Sequence, residues 1–397
     1  LKKRRTIAIY SGAIPSTTFV EQLIKGVAAH QRVLLFGRIT KPISYTSKNI
    51  TVHATPNSHF LNFIYSLYRL SFLLLKKPKG LFVLLRQTKK RKGLYKRWMW
   101  FTKALPIVLY RPDVFHIQWA KSLDSFFFLK TEFNIPIVLS LRGAHINYSP
   151  IASQKLTDSY KEQFPNVAGF HAVSKAISSE AQKYNAPTNR IQVIHSMVPE
   201  QFFKAFTSYK KRKSGPFNLV SIGRPHWIKG YSYAIQAIRL LLEQGFDCTY
   251  TIIGIDEVDE GLLYQINDLG LEKNVRLLPS LPQSKLIMEL PNYDALLLPS
   301  LKEGIANVVL EAMAMGVPVI SSDCGGMKEV VTDTTGFLVP IRNPKAIAKA
   351  VIQLDTMKET EVQALTQQAH NFIKREFLST KGVDEFLALY ESSMKSN

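Results

Sequence analysis

The stretch from Leu297 to Pro340, LLPSLKEGIANVVLEAMAMGVPVISSDCGGMKEVVTDTTGFLVP, sets the fold by the order of its patterns. Asp294 to Pro299 (DALLLP) is a near-continuous apolar run, as expected of a strand buried on both faces. Leu301 to Ala306 reads as a Gly-containing loop. Val308, Val309, Ala312, Met313 and Met315 then share one helical face, and Gly316 followed by Pro318 stops the helix. Val317 to Ser321 is a second buried strand, and Gly325-Gly326 opens the next turn. A strand, helix and strand in that order form the repeating unit of a doubly wound α/β sheet.

Two carboxylates stand eight residues apart in this unit: Glu303 in the loop and Glu311 inside the helix. Between them, the helix start at Gly304, Ile305, Ala306, Asn307 and Val308 presents backbone N–H groups suited to an anionic oxygen. Such a set matches a phosphorylated sugar, with backbone on phosphate and carboxylates on hydroxyls. A plain β-α-β unit with two solvated glutamates fits the composition equally well.

The wider pattern separates these readings. Pro299, Ser300, Glu303, Gly304, Asn307, Glu311, Gly316, Pro318, Gly325, Gly326, Glu329 and Gly336 together resemble the signature of family-4 retaining glycosyltransferases, with Ala306 where that family usually has Pro. The resemblance implies a GT-B architecture, two Rossmann-like doubly wound domains facing a central cleft. It also implies transfer of a sugar from a nucleotide diphosphate donor to a hydroxyl, with retention. A second match, SIGRPHWIKG, follows the strand Asn218 to Ile222 and resembles the family's G-R-x-x-x-x-K-G. By that resemblance Gly223, Arg224 and Lys229 hold the donor diphosphate, Glu303 binds sugar hydroxyls beside the reacting carbon, and Glu311 binds the ribose. Front-face displacement is implied, with no covalent nucleophile and no cofactor. No D-x-D occurs, so no metal site is expected. Asp256 and Pro279 replace glycines common in the family and leave the base open.

Towards the N-terminus, Thr6 to Tyr10 and Arg32 to Phe36 read as strands around a helix Phe19 to Ala29 capped by Thr18. The loop between lacks G-x-G-x-x-G, so dinucleotide binding is not indicated. GAIPSTTFVEQLI resembles the P-x-x-S-E-T-F-I start of some polysaccharide-assembly glycosyltransferases, with Thr17 in place of Glu. Asp113 to Gln118 and Pro136 to Leu141 are further parallel strands, each ending in polar groups. His116 reads as a satisfied buried histidine or a catalytic one. In the LRGAHIN loop, Arg142 takes the position of the family's His and His145 that of an Asp, which makes both candidates for catalysis. Residues 199–217, with Pro, an aromatic pair, a cation run and Ser-Gly-Pro, read as a linker. The expected domains are 1–198 on the acceptor side and 218–375 for the nucleotide sugar. Residues 376–397 form a helix that by resemblance packs back on the first.

Charge divides the chain. Residues 1–197 carry 30 Lys+Arg against 7 Asp+Glu, a formal +23, whereas residues 198–397 carry 21 against 23, a formal −2. Between Glu21 and Asp113 there are 18 Lys and Arg and no acidic residue. So one-sided a field points to an anionic partner. Phe60, Phe63, Ile64, Leu67, Leu70, Leu74 and Leu75 recur at helical spacing and read as a helix face packed on the sheet, with charges outward. Lys89 to Phe101, where cations alternate with Trp98 and Trp100, suits a membrane interface. The longest apolar run, Phe60 to Leu75, is too short and mixed to span a bilayer. Lys2 to Arg5 could begin a signal peptide, but Pro15 cuts its apolar run short. The two distant cysteines, Cys248 and Cys324, suit a reducing compartment. These readings predict a cytoplasmic enzyme peripheral on the inner face of the membrane. Its partners would be a nucleotide diphosphate sugar, a glycan or lipid-linked diphosphate sugar acceptor and an anionic membrane surface, with no nucleic acid. The alternatives are a nucleotide-sugar epimerase or phosphorylase of the same fold, the latter lacking a distinct lysine for pyridoxal, and a basic nucleic-acid-binding protein.

Overall fold

The computed structural model describes residues 4–395. The chain divides into two units: one holds residues up to His195 together with the segment from Ser379 onward, and the other holds Ser196–Leu378.

The first unit is built on seven parallel strands: β1 (Thr6–Ile14), β2 (Arg32–Ile39), β3 (Ile50–Val52), β4 (Val114–Ile117), β5 (Ile137–Leu141), β6 (Gly169–Ala172) and β7 (Ile191–Val193). Their order across the sheet is β3-β2-β1-β4-β5-β6-β7. The second holds β8 (Phe217–Ile222), β9 (Cys248–Ile253), β10 (Val275–Leu278), β11 (Ala295–Leu298), β12 (Val319–Ser322) and β13 (Phe337–Val339), ordered β10-β9-β8-β11-β12-β13. Both orders run outward from the first strand one way and then reverse. The reversal leaves a crevice at the carboxyl ends of β1 and β4 in one unit and of β8 and β11 in the other, where open parallel sheets bind ligands. Apolar residues fill most positions of these strands because helices cover both faces.

Local chemistry explains the helices. In α1 (Thr18–His30), Val20, Leu23, Ile24, Val27 and Ala28 are buried at helical spacing. The cap is Thr17 rather than Thr18, and Thr17 makes no side-chain cap bond. The Glu21 carboxylate accepts from the Ser16 N–H at 2.7 Å, which ties the chain just before the helix to its first turn. Residues 199–217 are more than a linker. They include a helix, Glu200–Lys204, whose Phe202 and Phe203 are buried in the same core cluster as Val309 and Met313.

The helix Ser379–Lys395 belongs to the first unit, where it closes over β4, β5 and β6. Its Tyr390 hydroxyl lies 2.7 Å from His116 Nδ1, His116 Nε2 lies 2.8 Å from Ser140 Oγ, and Ser140 Oγ lies 2.8 Å from His171 Nδ1. His171 Nε2 donates to the Ile194 carbonyl at 2.9 Å, which orients the whole chain of bonds back to Tyr390 as donor. Burial pushes the His116 imidazole down to about 3, with Arg142 adding to the shift, and lowers His171 as well. Both stay neutral, so His116 is a satisfied core histidine. Tyr390→Phe would remove the 2.7 Å donor to its buried Nδ1, leaving the longer contact from Gln118 Nε2 at 3.1 Å, and is expected to cost about 1 kcal/mol of stability, read by urea unfolding. An unchanged midpoint would remove this lock.

Three helices depart from the sequence reading: α2 (His59–Lys76), α3 (Pro78–Lys89) and α4 (Leu94–Tyr110). The buried residues of α2 are Asn62, Ser66, Arg69 and Leu73, while Phe60, Phe63, Ile64, Leu67, Leu74 and Leu75 are exposed. The helix is amphipathic with its polar side inward. Asn62 Nδ2 donates to Thr102 Oγ1 of α4 at 3.2 Å, and Arg69 Nη2 to the Ala54 carbonyl at 3.1 Å. The cation–tryptophan cluster is partly interior. Trp100 is 8% exposed and donates its indole N–H to the Ser125 carbonyl at 3.0 Å. Arg91 pairs with Asp124 at 2.8 Å and lies over the Trp100 ring, and Arg97 donates to the Arg91 carbonyl at 2.7 Å.

Candidate active site

The two motifs of the second unit follow the two strands at its switch point. Gly223 and Arg224 leave the end of β8, and Pro299 to Glu303 leave the end of β11. Backbone contacts join the two loops. The Leu301 N–H donates to the Ile228 carbonyl at 2.7 Å, and Gly230, at φ +65°, sits where a Cβ would lie 2.2 Å from the Pro299 carbonyl oxygen. Only glycine allows that approach. A third loop joins from the end of β12. The Gly326 N–H donates to the Gly304 carbonyl at 2.8 Å, and a Cβ on Gly325, at φ +60°, would lie 1.8 Å from the Glu303 carbonyl oxygen.

This stitching brings Lys229 and Glu303 together. Lys229 Nζ donates to Glu303 Oε1 at 2.8 Å, and the Ser300 hydroxyl donates to the same oxygen at 3.1 Å. Arg224 is exposed, in the same loop as Lys229. The Tyr231 hydroxyl donates to the Gly223 carbonyl at 2.8 Å, holding the turn that carries Arg224. Burial chiefly, then the charges of Arg224 and Lys229, lower the pKa of His226. The helix Asn307–Met315 begins directly after Ala306 with no side-chain cap and no acidic residue in its first turn. Gly304, Ile305 and Ala306 are buried, while Asn307 and Val308 are partly exposed.

Glu311 stands one turn further along that helix, with a different environment. Burial pushes its carboxyl up to about 7, offset in part by a hydrogen bond from Gln283. Gln283 Oε1 in turn accepts from Gln201 Nε2 at 2.9 Å. Of the sequence candidates, Gly223, Arg224, Lys229, Glu303 to Val308 and Glu311 thus belong to the second unit. Asp256, at the end of β9, accepts from the Ser280 N–H and hydroxyl at 2.7 Å each, which lowers its pKa. It binds two neighbouring loops where the family pattern has glycine.

Arg142 and His145 belong to the first unit and follow β5. Arg142 Nη2 donates to Gln118 Oε1 at 2.9 Å, and its guanidinium lies 4.0 Å from the centre of the Phe19 ring. Burial chiefly pushes it down to about 9, and its Nε is buried without a partner. The His145 ring meets Trp119 edge-on, and its Nδ1 is likewise unpartnered. Burial, with Lys121, lowers it to about 4. Buried polar atoms left without a partner in this way are costly.

Three participants carried no assignment in the sequence. Ser300 was visible as part of the motif, but its bond to Glu303 was not. Tyr231 follows Gly230 with nothing to mark it. Gln283 meets Glu311 only through the fold, 28 positions upstream.

Two parallel doubly wound sheets, each with its own switch point, make up the GT-B architecture. Residues 203–374, which make up most of the second unit, match the family model for glycosyl transferases group 1. The amylovoran biosynthesis glycosyltransferase AmsK of Erwinia amylovora is 30% identical over 241 residues, 57% of this chain and 58% of its own. The putative colanic acid biosynthesis glycosyltransferase WcaL of Escherichia coli K12 is 28% identical over 228 residues, 56% of each chain. The match therefore spans little more than half of either relative. The structure of Anabaena HepE in complex with UDP and glucose superposes with a TM-score of 0.69 at 17% identity, covering 98% of this chain and 100% of HepE. At that identity the likeness concerns the fold.

Proposed function

We propose that this chain is a retaining glycosyltransferase that moves a sugar from a nucleotide diphosphate sugar to a hydroxyl of a lipid-linked glycan in cell-surface polysaccharide assembly. The observation that supports this is that the loop carrying Arg224, the Lys229–Glu303 pair and the uncapped start of the helix Asn307–Met315 all follow the two strands, β8 and β11, that flank the switch point. Arg224 and Lys229 neutralise the leaving diphosphate, and the N–H groups at Asn307 and Val308 add donors to its oxygens. Glu303 positions hydroxyls of the transferred sugar, and Glu311 accepts from the ribose. The bond from the anomeric carbon to the diphosphate oxygen breaks as the acceptor oxygen attaches on the same face. The acceptor proton leaves with the diphosphate. Arg142 and His145 serve the acceptor side. The names of AmsK and WcaL favour a polysaccharide product, and the ligands of HepE favour a nucleotide sugar donor. The +23 of residues 1–197 favours an acceptor at an anionic membrane, reached from the cytoplasm.

Because two cations and a helix terminus supply the counter-charge, transfer is expected to persist in excess chelator. The test is release of nucleotide diphosphate and formation of glycosylated acceptor from a panel of donors, with the anomeric configuration read by NMR. Complete loss in chelator, restored by magnesium or manganese, would contradict the arrangement. Inversion at the anomeric carbon would contradict the mechanism.

A further inference from the structure

About half of the large hydrophobic side chains exposed among the described residues lie between Phe60 and Tyr95, on α2 and the adjoining parts of α3 and α4. On α2, Phe60, Ile64, Leu67 and Leu75 recur at helical spacing along one exposed face, with Phe60 71% and Leu75 84% exposed. Phe82 of α3 is 73% exposed and Leu94 of α4 81%. Monomeric soluble proteins seldom leave an apolar face of this extent to water. Its polarity is also inverted over the first three turns: there the protein-facing side of α2 is spent on Asn62, Ser66 and Arg69 while Phe60, Phe63, Ile64 and Leu67 are exposed, and only near its C-terminal end do Leu70, Phe72 and Leu73 pack on the core.

We propose that this face is a membrane-insertion surface, with α2 lying in the plane of an anionic bilayer and its outer side chains seated at the acyl boundary. The inference deepens the membrane part of the function proposed above and rests on it. Three observations select lipid as the occupant. Exposed cations Lys76, Lys79, Lys89, Lys90, Lys92 and Lys96 occur along the same helices and their connections, where long cationic side chains can reach back to headgroups. No acidic residue lies between Glu21 and Asp113, so a second copy docked on this face would bring like charge against like charge. And Arg69, held by the Ala54 carbonyl, keeps one side of α2 against protein. The helix therefore lies in the interface, in keeping with the absence of any described helix long and apolar enough to cross a membrane.

The test uses the full chain and vesicles of phosphatidylcholine with or without about one third phosphatidylglycerol, a mixture that presents an anionic surface. Wild type should float with the anionic vesicles, and less so at high salt. Ile64→Gln, Leu67→Gln and Leu75→Gln combined should reduce partition at least about tenfold, since each removes buried apolar area. Melting temperature and donor binding should be unchanged. A second measurement is independent of that variant's folding: Phe60→Trp should add indole fluorescence that lipids brominated in the acyl chain quench. A triple variant that floats as wild type does would overturn this surface while leaving the membrane reading intact. Wild type that floats with neither vesicle would overturn both. A triple variant that turns a dimer into a monomer in sedimentation, with flotation unaffected, would make the face a copy interface and overturn the proposal. So would fluorescence of Phe60→Trp that brominated lipid leaves unquenched.

Discussion

Arg224→Ala is expected to lower turnover by about 10²–10³-fold, the loss typical of removing one preorganised donor from developing negative charge. Arg224 is exposed and makes no ion pair among the described residues, so its removal should leave the melting temperature unchanged. Lys229 differs, because Lys229→Ala also strips Glu303 of its partner at 2.8 Å. That variant should lose turnover and some stability together. The comparison separates the roles: a group that acts on the departing diphosphate lowers kcat, whereas one that only binds the ground state raises KM. Arg224→Ala with wild-type kcat would take the diphosphate away from this loop.

Glu311→Gln should make the protein more stable and less able to use its donor. The folded carboxyl is raised to about 7 from an ordinary value near 4.5 because burial disfavours its charge. An acid raised on folding destabilises the native state once pH exceeds the unfolded value, and the penalty grows until pH passes the folded one. Wild type should therefore fall behind the Gln variant between about pH 4.5 and 7, by about 3 kcal/mol at pH 8. At pH 4 both carry a neutral group there, and their stabilities should converge. Donor affinity should move the other way. A carboxylate that accepts ribose hydroxyls binds best above about pH 7, and the Gln variant should bind weakly at every pH. Melting curves across pH, with calorimetric titration of nucleotide diphosphate, read both effects. Equal stability at pH 8 would mean that Glu311 is not desolvated as described.

Much of the site was legible because its chemistry is local. Gly223 to Gly230 and Pro299 to Glu311 each lie within one strand-loop-helix turn, where spacing and apolar runs mark the elements directly. What joins them was not legible. The Lys229–Glu303 pair spans 74 positions and depends on β8 and β11 being neighbours, and the Gln283 bond to Glu311 depends on a separate helix. Periodicity also misled for α2. An apolar stripe at helical spacing reports that a helix has two faces, but which face turns inward is decided by its partners. Here Thr102, Ala54 and the cation Arg69 draw the polar face in. Trp100 was read as interfacial for a related reason. A tryptophan amid cations suits a membrane, but this one is anchored by the Ser125 carbonyl and roofed by Arg91. The linker composition of residues 199–217 likewise hid Phe202 and Phe203, which fill a core that only the folded second unit creates.

The central claim is that the second unit's switch point binds a nucleotide diphosphate sugar through Arg224, Lys229, Glu303 and Glu311. The most direct measurement is a thermal-unfolding series of the full chain in chelator against nucleoside diphosphates and their sugars. Wild type should be stabilised by one nucleotide in preference to the others, by about 2.7 kcal/mol at 100 times its dissociation constant. The Arg224→Ala, Glu311→Gln double variant should gain nothing at the same concentration. A wild type that none of these ligands stabilises, or a double variant stabilised as much as wild type, would contradict the account.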